Sequence, residues 1–217
     1  MAMNARETTR DQHRDRGRVR YRFTSAQVIA MVEREIIGGD VELWDGVLYR
    51  MVKGELHHFV TSQVADALRA ATPDGYHVRE EKSCAFGDRS LPEPDAAICR
   101  GRKGDYLPHP PHLARLALVV EVDHYTARAD SVDKLRRYAE VGIPVFWRVD
   151  VKARSVVVHR EPRGSGGDSR YEVDRAYATG DEVPIEVDGR AVGRVAVADL
   201  FPLDPAGAET TPEEGRP

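Results

Sequence analysis

The stretch that decides the fold is Leu116–Asp150, LALVVEVDHYTARADSVDKLRRYAEVGIPVFWRVD. It opens on five apolar residues, Leu116 to Val120, the pattern of a strand buried on both faces in the middle of a sheet. DSVDKLRRYAEVG then reads as a helix, N-capped by Asp130 and stopped by Gly142. IPVFWRVD follows as a second strand. Strand, helix and strand in this order imply a parallel pair joined by a right-handed crossover. In open α/β sheets ligands gather beyond the carboxyl ends of the strands, which is where Glu121 and Asp123 stand.

The flanking sequence adds further elements around this unit. FTSAQVIAMVEREIIGG predicts a helix with Thr24 as N-cap, Gln27 completing a capping box, and Gly38 and Gly39 as the stop. VELWDGVLYRMV alternates apolar and polar residues on both sides of Asp45-Gly46, the signal of a two-residue hairpin. ELHHFVTSQVADALRAA places Leu56, Phe59, Val60, Val64, Ala67 and Leu68 on one helical face, with Pro73 and Gly75 beyond its end. YHVREEKSCAF and EPDAAICR read as strands separated by Gly87 and Asp88, and YLPHPPHLAR as a loop. RSVVVHR is a further strand, RGSGGDS a flexible loop, and the short strands after it a sheet extension. The expected class is mixed α/β, a mixed sheet flanked by helices with additional hairpins.

At 217 residues, 41% hydrophobic and 31% charged, the chain suits one globular domain with a sizeable core. No apolar run approaches the ~18 residues of a membrane span, and the N-terminus lacks a secretory signal, so the expected location is cytoplasmic with no membrane partner. Cys84 and Cys99 fit neither a zinc site nor a disulfide framework and read as reduced packing thiols. Residues 1–22 carry seven arginines against Glu7, Asp11 and Asp15, a net +4, whereas residues 204–217 carry four acids against Arg216, a net −3. The expected organisation is a basic disordered arm over 1–22, one domain over 23–203 and an acidic disordered tail over 204–217. The domain between them is acidic, which argues against tight sequence-specific DNA binding but not against a small metal-filled pocket.

Glu121 and Asp123 alternate to one face of the strand, roughly 6.5 to 7 Å apart. Two carboxylates that close repel and burial penalises both, so they share a proton, pair with a cation or hold a metal. The plainer alternative is a strand-end acid satisfied by Arg128 or Arg137. Asp95, at the head of the strand in PEPDAAI, adds a carboxylate from a neighbouring strand. Acids from two strands at one end of a sheet form the oxygen-rich site that Mg²⁺ or Mn²⁺ takes. Such a metal lowers the pKa of a bound water and neutralises phosphoryl charge, chemistry that suits phosphodiesters. His57 shares a helical face with Val60, Val64 and Leu68 and reads either as an active-site histidine or as a helix-start residue bonded to backbone. His58 reads as solvated, and His109 and His112 as part of a loop.

PEPDAAI, LALVVEV and the run from Thr126 to Asp150, in that order, resemble the Uma-type family of restriction endonucleases, a branch of the PD-(D/E)XK phosphodiesterase superfamily. ELWDGVLYRM and the helix opening at His57 follow the same layout, so the resemblance covers roughly Phe23 to Phe201. It implies a restriction-endonuclease-like core and a Mg²⁺- or Mn²⁺-dependent DNA endonuclease, with Asp95 and Glu121 as metal ligands and His57 in the active site. The lysine expected two residues after the second acid is replaced by Asp123, and Lys134 on the following helix matches the displaced lysine. Lys134 shares a stripe with Tyr138 and Val141; it reads as an electrostatic assistant or, without the resemblance, as a surface lysine paired with Asp130 or Asp133. Asp123 itself reads as an additional metal ligand or as an acid that supports the ligands from behind. A homodimer is implied by analogy with enzymes that cut both strands. The competing expectation is a nuclease fold that no longer cuts and serves as a nucleic-acid-binding or protein-interaction module.

Overall fold

The computed structural model describes residues 20–107, 109–123 and 128–203, with backbone alone at 128–132. Most of the basic arm and the acidic tail over 204–217 lie outside these residues. Helix α1 (Ser25–Glu33) starts as expected, with the Thr24 hydroxyl accepting from the Gln27 amide and the Gln27 side chain accepting from the Thr24 amide. Its end differs from expectation. The chain leaves the helix before Gly38 and Gly39, because Glu35 takes a left-handed φ of 56° that no longer continues the helix.

Strands β1 (Val41–Trp44) and β2 (Val47–Arg50) form the hairpin, with Asp45 and Gly46 both at positive φ in its turn. Helix α2 (Glu55–Ala71) buries His57, Val60, Thr61, Val64, Ala65 and Leu68, a stripe recurring every three or four residues. Phe59, expected on that face, is 39% exposed instead, since it lies on the side away from His57 and Val60.

Strands β3 (Tyr76–Glu80), β4 (Ala96–Arg100), β5 (Leu116–Asp123), β6 (Val145–Asp150), β7 (Ser155–Arg163) and β8 (Arg170–Ala178) lie side by side in that order. The strand expected over YHVREEKSCAF stops at Glu80, because Glu81 turns out of it with φ 47°. Only the β5–β6 pair is parallel; helix α3 (Arg128–Val141) makes its crossover. Asp130 falls inside α3 rather than at its N-cap, since the helix begins two residues earlier. Gly142, at φ 79°, closes the other end as expected. A second hairpin, β9 (Glu182–Val187) and β10 (Arg190–Ala196), pairs as a sheet of its own and packs against the six-stranded one.

Central β5 is buried from Leu116 to Val122. Leu118, Val120 and Val122 join Val60, Val64 and Leu68 of α2 and Val183 and Ile185 of β9 in one core. Val119 joins Tyr138, Ile143 and Phe146 in a second core on the opposite face. Each fully buried aliphatic side chain contributes about 1.5–3 kcal/mol, so β5 anchors both layers. By alternation Glu121 faces the side of Val119, the side on which Tyr138 of α3 packs. Both cysteines are free and buried. Among the described residues no helix is long and apolar enough to cross a membrane.

The hairpin turn depends on glycine at one position. A Cβ on Gly46, already at φ +80°, would lie 2.7 Å from Arg22 Cβ and 3.1 Å from the Phe23 carbonyl. Gly46→Ala is expected to cost at least about 1 kcal/mol in urea denaturation, whereas Gly38→Ala, with nothing within 4 Å, changes stability by less than about 0.5 kcal/mol.

Candidate active site

Two strand ends bring the first pair of acids together. Ala96 pairs with Val120, so Asp95 stands one step before the ladder begins, beside the carboxyl end of β5. There its Oδ2 accepts the Val122 amide proton at 2.7 Å. Asp95 and Glu121 are 4% and 7% exposed. Carboxylates buried to that degree need partners, and unpaired ones would cost several kcal/mol each.

Helix α3 supplies those of Glu121. Lys134 and Tyr138 lie one turn apart on the same stripe; the lysine Nζ reaches Glu121 Oε2 at 3.0 Å and the tyrosine hydroxyl donates to Oε1 at 2.5 Å. Lys134 also reaches Glu42 Oε1 at 3.3 Å. Glu42, on β1 and 3% exposed, accepts in addition from the Trp44 indole and from the Glu93 amide. Among the described residues, Lys134 pairs with Glu121 and Glu42 and not with Asp133. Asp133 is bound by Arg136 and Arg137 rather than Lys134, and Arg137 spans Asp133 and Asp45 while lying 4.8 Å over the Trp44 ring. The side chains of Arg128 and Asp130 lie outside the described residues.

On the other side of Asp95, His57 Nε2 lies 2.9 Å from Oδ1. Lys53, in the connection between β2 and α2, reaches Asp95 Oδ1 at 3.4 Å, Glu81 Oε1 at 3.0 Å and Glu93 Oε1 at 3.5 Å. Glu81 holds a left-handed φ of 47°, which costs a residue with a side chain about 1 kcal/mol or more and concentrates where geometry serves function. The ligand atoms of His57, Glu81 and Asp95 all lie within 4.8 Å of one another, close enough for one metal ion. Glu121 and Asp123 are outside that trio.

Five carboxylates, Glu42, Glu81, Glu93, Asp95 and Glu121, thus share two ammonium groups, Lys53 and Lys134, and two imidazoles, His57 and the more exposed His58, whose Nδ1 lies 3.4 Å from Glu81 Oε1. Burial pushes the Glu121 carboxyl up to about 8, against the pull of the Lys134 charge, with Asp95 and Glu42 adding to the rise. Burial works against charge on Asp95 too, but His57, Lys53 and the Val122 amide together hold it below the usual carboxylate range. Lys134 titrates above its ordinary value: burial opposes its charge, and Glu121, Glu42 and Asp95 outweigh burial. Lys53 behaves likewise, through Asp95, Glu81 and Glu93. Anionic excess in a buried pocket favours a further cation.

A cavity of about 370 Å³ opens beside Lys134 and Glu42, with Trp44, Tyr49, Arg50 and Arg137 in its wall. A second, of about 300 Å³, adjoins Lys53, Glu81 and Glu93. Arg50, Met51 and Val52 border both.

A family model described as "Uma2: Putative restriction endonuclease" matches residues 35–190, which take in Glu42, Lys53, His57, Asp95, Glu121 and Lys134. The chain belongs to the Uma2 family. No curated protein matches it. A solved structure from Anabaena variabilis, described as a "putative nuclease belonging to DUF820", is similar at 15% identity with a TM-score of 0.57, over 74% of this chain and 89% of that one. The mixed sheet with flanking helices is therefore a nuclease-like fold, as the Uma-type resemblance implied.

Within this Uma2 site, Asp95, Glu121, Lys134 and His57 gather at one place. Asp123 stands two residues past Glu121 at the strand end, half-buried and opposite Asp150 in the ladder. Sequence reasoning missed Glu42, Lys53, Glu81, Glu93 and Tyr138. Glu42 and Glu81 read as ordinary strand residues, and Lys53 and Glu93 as loop and strand-entry residues. Only Tyr138 carried a signal, its i+4 spacing from Lys134.

Because the folded Glu121 keeps its proton between its ordinary 4.5 and about 8 while the unfolded chain has released it, its contribution to stability is complete below 4.5 and is lost as pH rises toward 8. Denaturant unfolding in metal-free buffer is expected to show a downward slope in this window that is reduced in Glu121→Gln. An unchanged slope in that variant would refute the assignment.

Proposed function

We propose that the protein is a divalent-metal-dependent endonuclease of the cytoplasm that hydrolyses phosphodiester bonds of DNA, carried by a single unit over residues 23–203. The observation that carries this reading is the convergence of Lys134 from α3 on Glu121 from β5, beside Asp95. The donors fit the ion. Two carboxylates and an imidazole, within 4.8 Å of one another and surrounded by further acids, suit Mg²⁺ or, with nitrogen in the set, Mn²⁺. Asp95, Glu81 and His57 would hold it, with Glu121 and Asp123 as further acids at the end of β5 that add to its attraction. When bound, the ion lowers the pKa of its water and neutralises charge on the phosphoryl oxygens.

The chain's own groups do the rest. Tyr138 and Lys134 orient Glu121 from opposite oxygens, so its carboxylate cannot rotate freely. The Lys134 ammonium, bordering the larger cavity, offers positive charge where a phosphate would develop negative charge. His57 Nε2 either donates to Asp95 or, deprotonated, joins the ligand set. Arg50 and the 52%-exposed Tyr49 in the cavity wall suit a backbone phosphate and a stacked base. Cutting both strands calls for two such sites, which a homodimer would supply.

Purified protein is expected to cleave DNA with Mn²⁺ present. Asp95→Asn, Glu121→Gln and Lys134→Met should each lower the rate by about 100-fold or more, while Asp123→Asn weakens Mn²⁺ binding without abolishing it. Cleavage that survives both acid substitutions would sink the site. The second reading, a fold that binds without cutting, is favoured by Asp123 in the usual lysine position. It predicts calorimetric silence toward Mn²⁺, whereas the endonuclease reading predicts a heat signal that disappears in Asp95→Asn.

A further inference from the structure

Lys53 is the charge in the site that neither strand-end motif accounts for. Its ammonium is enclosed by carboxylate oxygens from three separate places in the chain: Glu81 just past β3, Glu93 in the approach to β4, and Asp95 at its head. That is how a bound cation is surrounded, and the side chain is only 11% exposed. Two of its three acceptors, Glu81 and Asp95, are also members of the trio whose ligand atoms lie within 4.8 Å. An ammonium and a divalent ion drawn to the same two carboxylates repel each other strongly.

The segment that carries Lys53 is lightly anchored by comparison. Val52 before it is 89% exposed, and Gly54 after it has open space where a Cβ would stand, which leaves the backbone there freer to turn. The cavity of about 300 Å³ beside Lys53, Glu81 and Glu93 leaves the ammonium room to withdraw. A four-carbon stem with three rotatable donors suits such a movement.

We propose that Lys53 is a tethered counter-ion. It occupies the metal's place in the metal-free protein, offsets part of the pocket's negative charge, and leaves the Glu81 and Asp95 oxygens when a divalent ion binds. This inference rests on the metal-dependent reading above. It makes the lysine a competitor of the metal, so that metal affinity is set by the difference between two cations for the same oxygens.

The test titrates Mn²⁺ calorimetrically into the full-length protein, Lys53→Met, Lys53→Arg and Asp95→Asn, alongside thermal melts in EDTA. Lys53→Met is expected to bind Mn²⁺ about tenfold or more tightly than the parent, to melt lower without metal, and to regain its melting temperature with saturating Mn²⁺. Lys53→Arg, which keeps the charge, should stay near the parent affinity. In the unaltered protein, acylation of Lys53 followed by mass spectrometry should rise several-fold when Mn²⁺ is added, a readout that does not depend on any variant folding. Equal or weaker affinity in Lys53→Met, or labelling that does not rise, overturns the counter-ion role; if binding is still abolished by Asp95→Asn, the metal site itself stands. Absence of Mn²⁺ binding in both parent and Lys53→Met overturns the metal reading and this inference together.

Discussion

The structure turns on the burial of two carboxylates, Asp95 and Glu121, where β4 begins and β5 ends. A buried carboxylate without partners is among the most costly features a small domain can carry. Several elements around this point accordingly bring a donor or a cation to it. The β5 backbone gives the Val122 amide, α2 gives His57, α3 gives Lys134 and Tyr138, and the connection after the hairpin gives Lys53. Glu42 then enters as a third acid held by the same lysine that serves Glu121.

The one parallel pair in the sheet makes this arrangement possible. An antiparallel neighbour could follow β5 by a tight turn and would return no helix over the strand's carboxyl end. The parallel β5–β6 connection requires a crossover, and α3 lies across the face that Glu121 shares with Val119. A lysine and a tyrosine one turn apart on that helix are then enough to grip both carboxylate oxygens. The larger cavity opens at the same lysine, so packing, electrostatics and access to solvent meet at one residue.

Much of this was legible in the chain. The unbroken apolar run of β5, the Asp45-Gly46 turn and the capping box at Thr24 are local signals, and each formed where its residue types dictated. Asp95, Glu121, His57 and Lys134 were legible as well, the acids from their places at strand ends and the other two with help from the family resemblance. The misreadings were also local in origin. Gly38 and Gly39 are better helix stops on propensity than Glu35, yet Glu35 is where the chain turns left-handed; Asp130 looks like an N-cap, yet the helix starts at Arg128.

The sequence by itself determined which segments are strands and helices, which faces they bury, and that two acids end up beside one another at a sheet end. Only the tertiary structure decided who neutralises them. Glu42 and Lys134 are 92 positions apart and Lys53 and Glu93 are 40 apart, and each pair meets because separate elements pack around β4 and β5. Hydrophobic period speaks for the face an element turns inward, but a charged residue on a short strand or loop carries no local mark of its partner. The need to compensate buried charge is a property of the whole pocket, and it becomes visible only once the pocket is assembled.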